Sequence, residues 1–572
     1  MAISRLEHPK PQWQRDTWQN LNGEWQFEFD MNLCGLDNGF YKPEKKFSKT
    51  INVPFCPESE LSGIGFTDYM NAVWYKKTVN IKKSGNRIRL HIGAADYTTV
   101  LFVNGSRVGE HSGGYISFYF DITDYTVNGD NEICIFCRDT SRYNRFQPTG
   151  KQCPRLKSSS CFYTRTTGIW QTVWLEFLPE THIESVKIRP QIASCSAFLE
   201  FNLAGNADLQ IKAFYEGKPV GEKCIKNAGG IVNTEMVLSE LHLWEAGHGR
   251  LYDVELTFGA DTVKTYFGLR EITIKGKKVL INGKPVFQRL VLDQGYYPDG
   301  IYTAPSDEAL KKDILLGLNA GFNGARLHEK IFEERYLYHA DKLGYLVWGE
   351  YPDWGLGNNN PEQIYSFLPE WMAEIERDFN HPSIIGWCPR NETWDNNCMR
   401  QFDPCIELVY DITKQLDNTR PCIDTSGGFH VKTDIYCTHD YEHNPDVFAA
   451  TYKPLLEGNV PDAADWRIGN HERQRYNGQP VMVSEYGGIT FKAEGTEWGY
   501  GNGITDDNEF LKMFGDLANV LMDNKEIFGL CYTQLTDVEQ EQNGIYKYNR
   551  TEKIAPEKIK AILSRVAEYE KE

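Results

Sequence analysis

Ile384-Ile385-Gly386-Trp387-Cys388-Pro389-Arg390-Asn391-Glu392 and, 93 residues on from its glutamate, Pro480-Val481-Met482-Val483-Ser484-Glu485-Tyr486-Gly487-Gly488 share one grammar. In each, a short apolar run rich in β-formers ends just before a carboxylate. The C-terminal ends of the strands in a parallel barrel converge on one face, so two glutamates far apart in sequence can meet there. Carboxylates facing each other across a pocket are what cleavage of a glycosidic bond requires, one to protonate the leaving oxygen and one to attack or stabilise the anomeric carbon. Taken singly, either glutamate reads as well as a surface or N-cap carboxylate; the pair, each behind its own strand, carries the reading.

Outward from these strings the alternation of strand and helix persists. After the Asn282-Gly283 hairpin, helical runs are expected at Ser306 to Ala320 (capped by Ser306), Pro369 to Asn380, Cys405 to Asp417 and Phe510 to Asp523. Short apolar strands fall at Phe287 to Leu292, Gly324 to Leu327, Tyr345 to Trp348, Ile384 to Trp387, Cys422 to Thr425, Ile435 to Thr438, Val481 to Ser484 and Gly529 to Tyr532. Eight strands over about 300 residues imply a (β/α)8 TIM barrel for residues 272–572.

Upstream the periodicity is two. Gly23 to Asp30 and Arg87 to Ile92 alternate, and Val100 to Gly109 is a hairpin with Asn104-Gly105 at the tight turn. Regular strands without helical periodicity imply a jelly-roll β-sandwich, a sugar-binding-like domain, for residues 1–180. A second series, Ile183 to Ile192, Ala197 to Leu203, Leu209 to Tyr215, Val232 to Leu238 and Leu251 to Phe258, suits an immunoglobulin-like β-sandwich over 181–271, without the Cys…Trp…Cys spacing of antibody domains. The chain is therefore read as multidomain β plus α/β.

Composition narrows the partners. A net charge of −18 argues against nucleic acid and anionic membranes, both of which need a basic patch. No run reaches the length of a membrane span and no secretory signal is visible, so a cytoplasmic location is expected. The 13% aromatic share suits a cleft that stacks sugar rings. Fourteen cysteines make no metal pattern; the single C-x-x-C, Cys134 to Cys137, sits in a strand-like run and reads as packing. No cofactor and no metal are expected, the expected partner is a carbohydrate substrate, and a homo-oligomer is compatible with the composition.

An ordered set of strings then makes the chain resemble glycoside hydrolase family 2, the family of β-galactosidase, β-glucuronidase and β-mannosidase. They are Leu21-Asn22-Gly23-Glu24-Trp25, Gly93-Ala94-Ala95-Asp96-Tyr97, Gly168-Ile169-Trp170, Tyr266-Phe267-Gly268-Leu269-Arg270, Phe379-Asn380-His381-Pro382-Ser383, Asn391-Glu392 and Ser484-Glu485-Tyr486-Gly487. They run through nearly the whole chain. The resemblance implies a retaining mechanism with Glu392 as acid/base and Glu485 as nucleophile. It also implies an arginine near the nucleophile, matched by Arg326, and a tyrosine bonded to it, matched loosely by Tyr441. From the residues themselves, Asn391 is placed to bond the sugar 2-hydroxyl. Asp293, Glu350 and His439 follow strand ends and are further candidates, and Trp354, Trp394, Trp498 and Tyr532 are candidates for a sugar platform. Each of these also reads as a packed loop or core residue.

Three departures bear on the substrate. Glucuronidases of this family carry an Asn-x-Lys that binds the sugar carboxylate, and Gly544-Ile545-Tyr546-Lys547-Tyr548-Asn549-Arg550-Thr551-Glu552-Lys553 lacks that spacing. The Asn-Arg-His usual after the first barrel strand is replaced by Arg289-Leu290-Val291-Leu292-Asp293-Gln294-Gly295-Tyr296-Tyr297, and the tryptophan usual at the eighth is replaced around Tyr532-Thr533-Gln534. The expectation is an exo-acting, β-galactosidase-like enzyme. The alternatives are a β-galactofuranosidase or α-L-arabinofuranosidase, a β-glucuronidase with another clamp, or a carbohydrate-binding protein without activity.

Overall fold

The computed structural model describes residues 4–83, 85–393, 400–459, 476–492, 495 and 497–571. In the first unit a four-stranded antiparallel sheet (Trp18–Asn20, Val173–Leu178, Arg87–Ile92, Phe118–Asp121) faces a six-stranded one (Lys49–Val53, Gly23–Phe29, Ala72–Ile81, Gly129–Arg138, Thr98–Val103, Ser106–Ser112). Alternation decides what lies between them. Trp25 and Phe27 point inward with Leu90, Ile133 and Ile135, each such side chain contributing about 1.5–3 kcal/mol of burial. Cys137 joins this core while Cys134 faces the opposite side with Trp74 and Phe102, so the two thiols of the C-x-x-C lie on different faces of one strand. The Asn104-Gly105 turn has both residues at positive φ, 51° and 80°, as a two-residue hairpin demands.

The second unit differs in detail from the expectation. Ala197 to Leu203 and Leu209 to Tyr215 belong to one strand, Ser196–Tyr215. Its first half pairs with His182–Gln191 and its second with Tyr252–Phe258, with register shifts between Leu203 and Leu209. Bulges bend a strand, and the small, polar stretch Ala204-Gly205-Asn206-Ala207 looks like a break in the sequence because it is that bend. The strands Lys218–Val237 and Asp261–Phe267 complete the unit.

The barrel strands are Gln288–Asp293, Gly324–Leu327, Leu346–Glu350, Ile384–Cys388, Tyr436–Asp440, Val481–Gly487 and Ile527–Thr533. They form one parallel sheet in which the first pairs with both the second and the last. The remaining expected strand, Cys422 to Thr425, the fifth in chain order, is present as isolated parallel bridges, Trp387 to Cys422 and Asn391 to Ser426, with Ile423 N donating to Trp387 O at 2.9 Å. Helices α1 (Asp307–Asn319), α2 (Glu334–Leu343), α3 (Ile364–Asp378), α4 (Asp403–Leu416), α5 (Pro445–Tyr452), α6 (Asp507–Met522) and α7 (Pro556–Leu563) cover it. Ser306 caps α1 as its spacing implied, its hydroxyl accepting from Ala309 N at 3.2 Å. Among the described residues no helix is long and apolar enough to cross a membrane.

Candidate active site

Glu392 follows Ile384–Cys388 and Glu485 lies within Val481–Gly487, so both sit at the end of the barrel where strand C-termini converge. Glu392 occupies the left-handed region at φ 47°, costly for a residue with a Cβ and held by its N–H donating to Ser426 O at 2.7 Å. His439, at the end of Tyr436–Asp440, bridges the pair. Its Nδ1 lies 2.8 Å from Glu392 Oε1 and its Nε2 3.4 Å from Glu485 Oε1. One oxygen of each carboxylate and a ring nitrogen all fall within 4.8 Å of one another. That donor set could also accept a cation; a buried arginine supplies positive charge beside it.

That arginine is Arg326, fully buried on Gly324–Leu327. Its guanidinium donates to Glu485 Oε1 at 3.1 Å, to Ser484 O at 2.7 Å and to Asn391 Oδ1 at 3.1 Å, and it pairs with Glu350. Glu350 in turn meets His328 Nδ1 at 3.0 Å. Burial pushes Glu350 up, but Arg326 and His328 more than offset it and hold its pKa down at about 2. Glu485 follows the same logic: burial and the Glu392 charge raise it, yet His439, His328 and Arg326 leave it below the usual glutamate value. Tyr441 OH donates to Glu485 Oε2 at 2.5 Å, and its ring stacks on Tyr500 at 3.5 Å, against which Trp498 stands edge-on.

Asn391 is held on three sides. Its N–H donates to Asp353 at 2.8 Å, its carbonyl accepts from Trp354 Nε1 at 3.2 Å, and its Oδ1 takes the Arg326 bond. Its Nδ2 is buried and has no hydrogen-bond partner among the described residues. Six of the sequence candidates, Glu392, Glu485, Asn391, Arg326, His439 and Tyr441, are therefore one connected cluster, with Glu350 beneath it.

Two candidates need correction. Tyr532 faces outward and packs on Phe514 of α6 with ring centroids 5.0 Å apart, so it is no sugar platform; strand alternation turns it away, and the next residue, Thr533, presents its Oγ1 3.3 Å from Tyr441 OH. Asp293 also points out of the barrel, accepting from Tyr336 of α2 at 3.2 Å. Its neighbour Gln294 turns inward and donates to Gln534 at 2.8 Å. Trp394 lies outside the described residues. One face of the Trp354 ring is covered by Lys151 Nζ, 3.6 Å from the centroid. Lys151 and Tyr500 were missed. For Lys151 a signal existed: the stretch 139–167 is long for a sandwich connection, and such loops are commonly functional.

Comparison with known proteins follows this geometry. Residues 18–175 match the model for glycosyl hydrolases family 2, sugar binding domain; 181–270 match glycosyl hydrolases family 2; and 272–567 match glycosyl hydrolases family 2, TIM barrel domain. The chain is 28% identical to a putative beta-glucuronidase of Formosa agariphila over 78% of its length, and 28% identical to a beta-galactosidase of Thermoanaerobacter pseudethanolicus over 74%. It spans 54% of each of those two relatives. A beta-glucuronidase of Paenibacillus borealis is 25% identical over 82% of this chain and 83% of its own. Among solved structures, a beta-glucuronidase from an uncultured Clostridium superposes with a TM-score of 0.79 at 21% identity, over 96% of this chain and 98% of its own, which shows a common fold.

Proposed function

The chain belongs to glycoside hydrolase family 2, and from that premise we propose that it is a retaining, exo-acting glycosidase in which Glu485 is the nucleophile and Glu392 the acid/base. The observation that carries the reading is the proximity of the two carboxylates around His439, within 4.8 Å. Retaining enzymes hold their carboxyls about 5–5.5 Å apart, whereas inverting ones leave about 6.5–9.5 Å for a water. In the first step Glu485 attacks the anomeric carbon while Glu392 gives its proton to the leaving oxygen; in the second, Glu392 takes a proton from water, which opens the glycosyl ester. The depressed pKa of Glu485 keeps it ionised for attack, and repulsion between neighbouring carboxylates leaves Glu392 the role of acid. Asn391 Nδ2 would donate to the sugar 2-hydroxyl. Residues 1–180, 181–271 and 272–572 are proposed as the sugar-binding-like, connecting and catalytic portions.

The proposed substrate is a neutral β-glycoside, galactose-type or the furanoside of galactose or arabinose. In the loop where a carboxylate clamp would lie, Arg550 is bound bidentately to Asp313 at 3.1 and 3.0 Å, and Lys553 to Asp537 at 2.7 Å. Against this stand the relatives named beta-glucuronidase, which make the glucuronide the second reading. Matched nitrophenyl glycosides at one pH decide between them. Neutral substrates are expected to show the higher kcat/KM, and a tenfold preference for the glucuronide, about 1.4 kcal/mol, overturns the neutral assignment. Proton NMR of the first-formed product tests the mechanism, since initial appearance of the inverted anomer excludes a glycosyl-enzyme intermediate.

A further inference from the structure

No role given above uses the most unusual cation of the site. Lys151 comes from the first sandwich, in the stretch Thr149-Gly150-Lys151-Gln152, yet it lies at the mouth of the barrel. The fold takes trouble to put it there. Thr149 N and Gly150 N both donate to Trp354 O, at 2.7 and 3.1 Å, and Gly150 has φ 54°. A Cβ on Gly150 would stand 2.3 Å from Glu329 O, so only glycine allows the loop to come so close to the barrel. Farther along the same loop, Tyr163 OH donates to Glu541 and Thr164 N to Glu539 at 3.0 Å, which fastens it to the loop after the last barrel strand.

Lys151 is 6% exposed, and its Nζ rests over the Trp354 ring, whose indole N–H bonds the backbone of Asn391 next to Glu392. Among the described residues that Nζ makes no hydrogen bond, yet it is not one of the fully buried unpartnered atoms, so part of its surface stays open. A cation–π contact gives the charge some stabilisation, and an ammonium has three N–H donors, which remain open to an acceptor that enters beside the Trp354 ring. Burial works against its charge; Cys161 and the carboxylates of Glu392, Glu485 and Glu329 overcome this and hold its pKa above the ordinary lysine value. A cation already in the field of both candidate catalytic carboxylates is poorly suited to receive a further carboxylate. It is well suited to donate to neutral oxygen.

We infer that Lys151 is a substrate-contacting residue supplied by the first sandwich, donating a hydrogen bond to a hydroxyl of the neutral sugar held between Glu392 and Glu485. This rests on the glycosidase reading above, deepens its substrate side, and assigns the N-terminal sandwich a direct part in the site.

The test pairs a side-chain deletion with a hydroxyl deletion. Wild type, K151M and K151R are assayed on the best-turned-over of 4-nitrophenyl β-galactopyranoside and β-galactofuranoside and on its monodeoxy analogues. K151M should lower kcat/KM on the parent by tenfold or more. One deoxy analogue should lose at least tenfold against the parent in wild type but little in K151M, because its partner is already gone; K151R should recover part of the loss. If every deoxy analogue loses the same factor in K151M as in wild type, Lys151 touches no hydroxyl and the inference falls. Calorimetric titration of wild type and K151M with the methyl glycoside needs no turnover. Equal affinities there overturn the Lys151 assignment while leaving the catalytic reading intact; weaker binding by K151M supports it even if hydrolysis fails on the whole panel.

Discussion

At the scale of single residues, the chemistry rests on two carboxylates given unequal surroundings by neighbours of different kinds. Glu485 has a guanidinium, two imidazoles and a phenol turned toward it; Glu392 meets His439 and the rim. E485Q is expected to lower kcat by about four orders of magnitude or more, equivalent to roughly 5.4 kcal/mol of transition-state stabilisation, in a protein that still folds. E392A should retain more of the first step on an activated aryl leaving group and recover turnover with azide, because the small anion can replace the base in the second step. Near-wild-type kcat in E485Q removes the assignment. The pH profile follows from the depressed pKa of Glu485. A carboxylate held below its usual value stays charged as pH falls past about 4.3 and is lost only on passing its own, lower pKa. The acid limb of kcat/KM is therefore expected below the ordinary glutamate range, and E350Q, which removes a charge bonded to both Arg326 and His328, should move it. An acid limb at or above about 5 in wild type contradicts the cation set described around Glu485.

At the scale of elements, local signals carried most of the architecture and failed where the chain turns inward or bends. Gly324–Leu327 and α1 were legible because an apolar run between turn residues and a Ser306 cap each specify their own geometry. Helix α2 was not anticipated: it is short, and its buried face carries Glu334, His339 and Asp341 beside Tyr336, Leu337 and Ala340. Tyr532 and Asp293 were misjudged for one reason: being near a strand end does not decide which face a residue takes, and a one-residue offset exchanges the pocket for the helix layer. Lys151 was missed for another: the length of its loop marks the segment, but the residue's place depends on a loop of one unit docking on another. That docking makes its own prediction. G150A adds a Cβ against Glu329 O in a left-handed backbone, a conformation costing roughly 1–2 kcal/mol outside glycine. The loop adds Tyr163 to the barrel core but few other side chains, so the expected result is a several-fold rise in KM or more with a melting temperature changed by only a few degrees. A variant with wild-type kinetics shows that the loop does not need its close approach for activity.

At the scale of the whole molecule, the three units are joined by buried charge as well as by apolar contact. Arg15 donates through Nε and one terminal nitrogen to Asp261 of the second sandwich, at 2.8 and 3.0 Å, and through the other to Glu176 of the first, at 2.8 Å. His91 Nε2 completes the set, 3.1 Å from Glu176. All four side chains are buried, so removing one partner strands the others; for a buried pair that loss is about 3–5 kcal/mol, and R15M should approach it in urea denaturation. The pH dependence separates charge from packing. Burial raises the pKa of Glu176, but the bonds from His91 and Arg15 bring it well below the ordinary carboxylate range. A group whose pKa is depressed on folding contributes stability that is fully present above its unfolded value, about 4.3, and is lost as pH falls through the folded value. Wild type should therefore exceed E176Q in stability by its full margin at pH 7, and the gap should narrow steadily as pH drops below 4 until both unfold alike. Comparing the two proteins cancels the other buried carboxylates, which titrate in both. A gap that stays constant from pH 7 to pH 3 would mean that the shape of Glu176, and not its charge, ties the two sandwiches together.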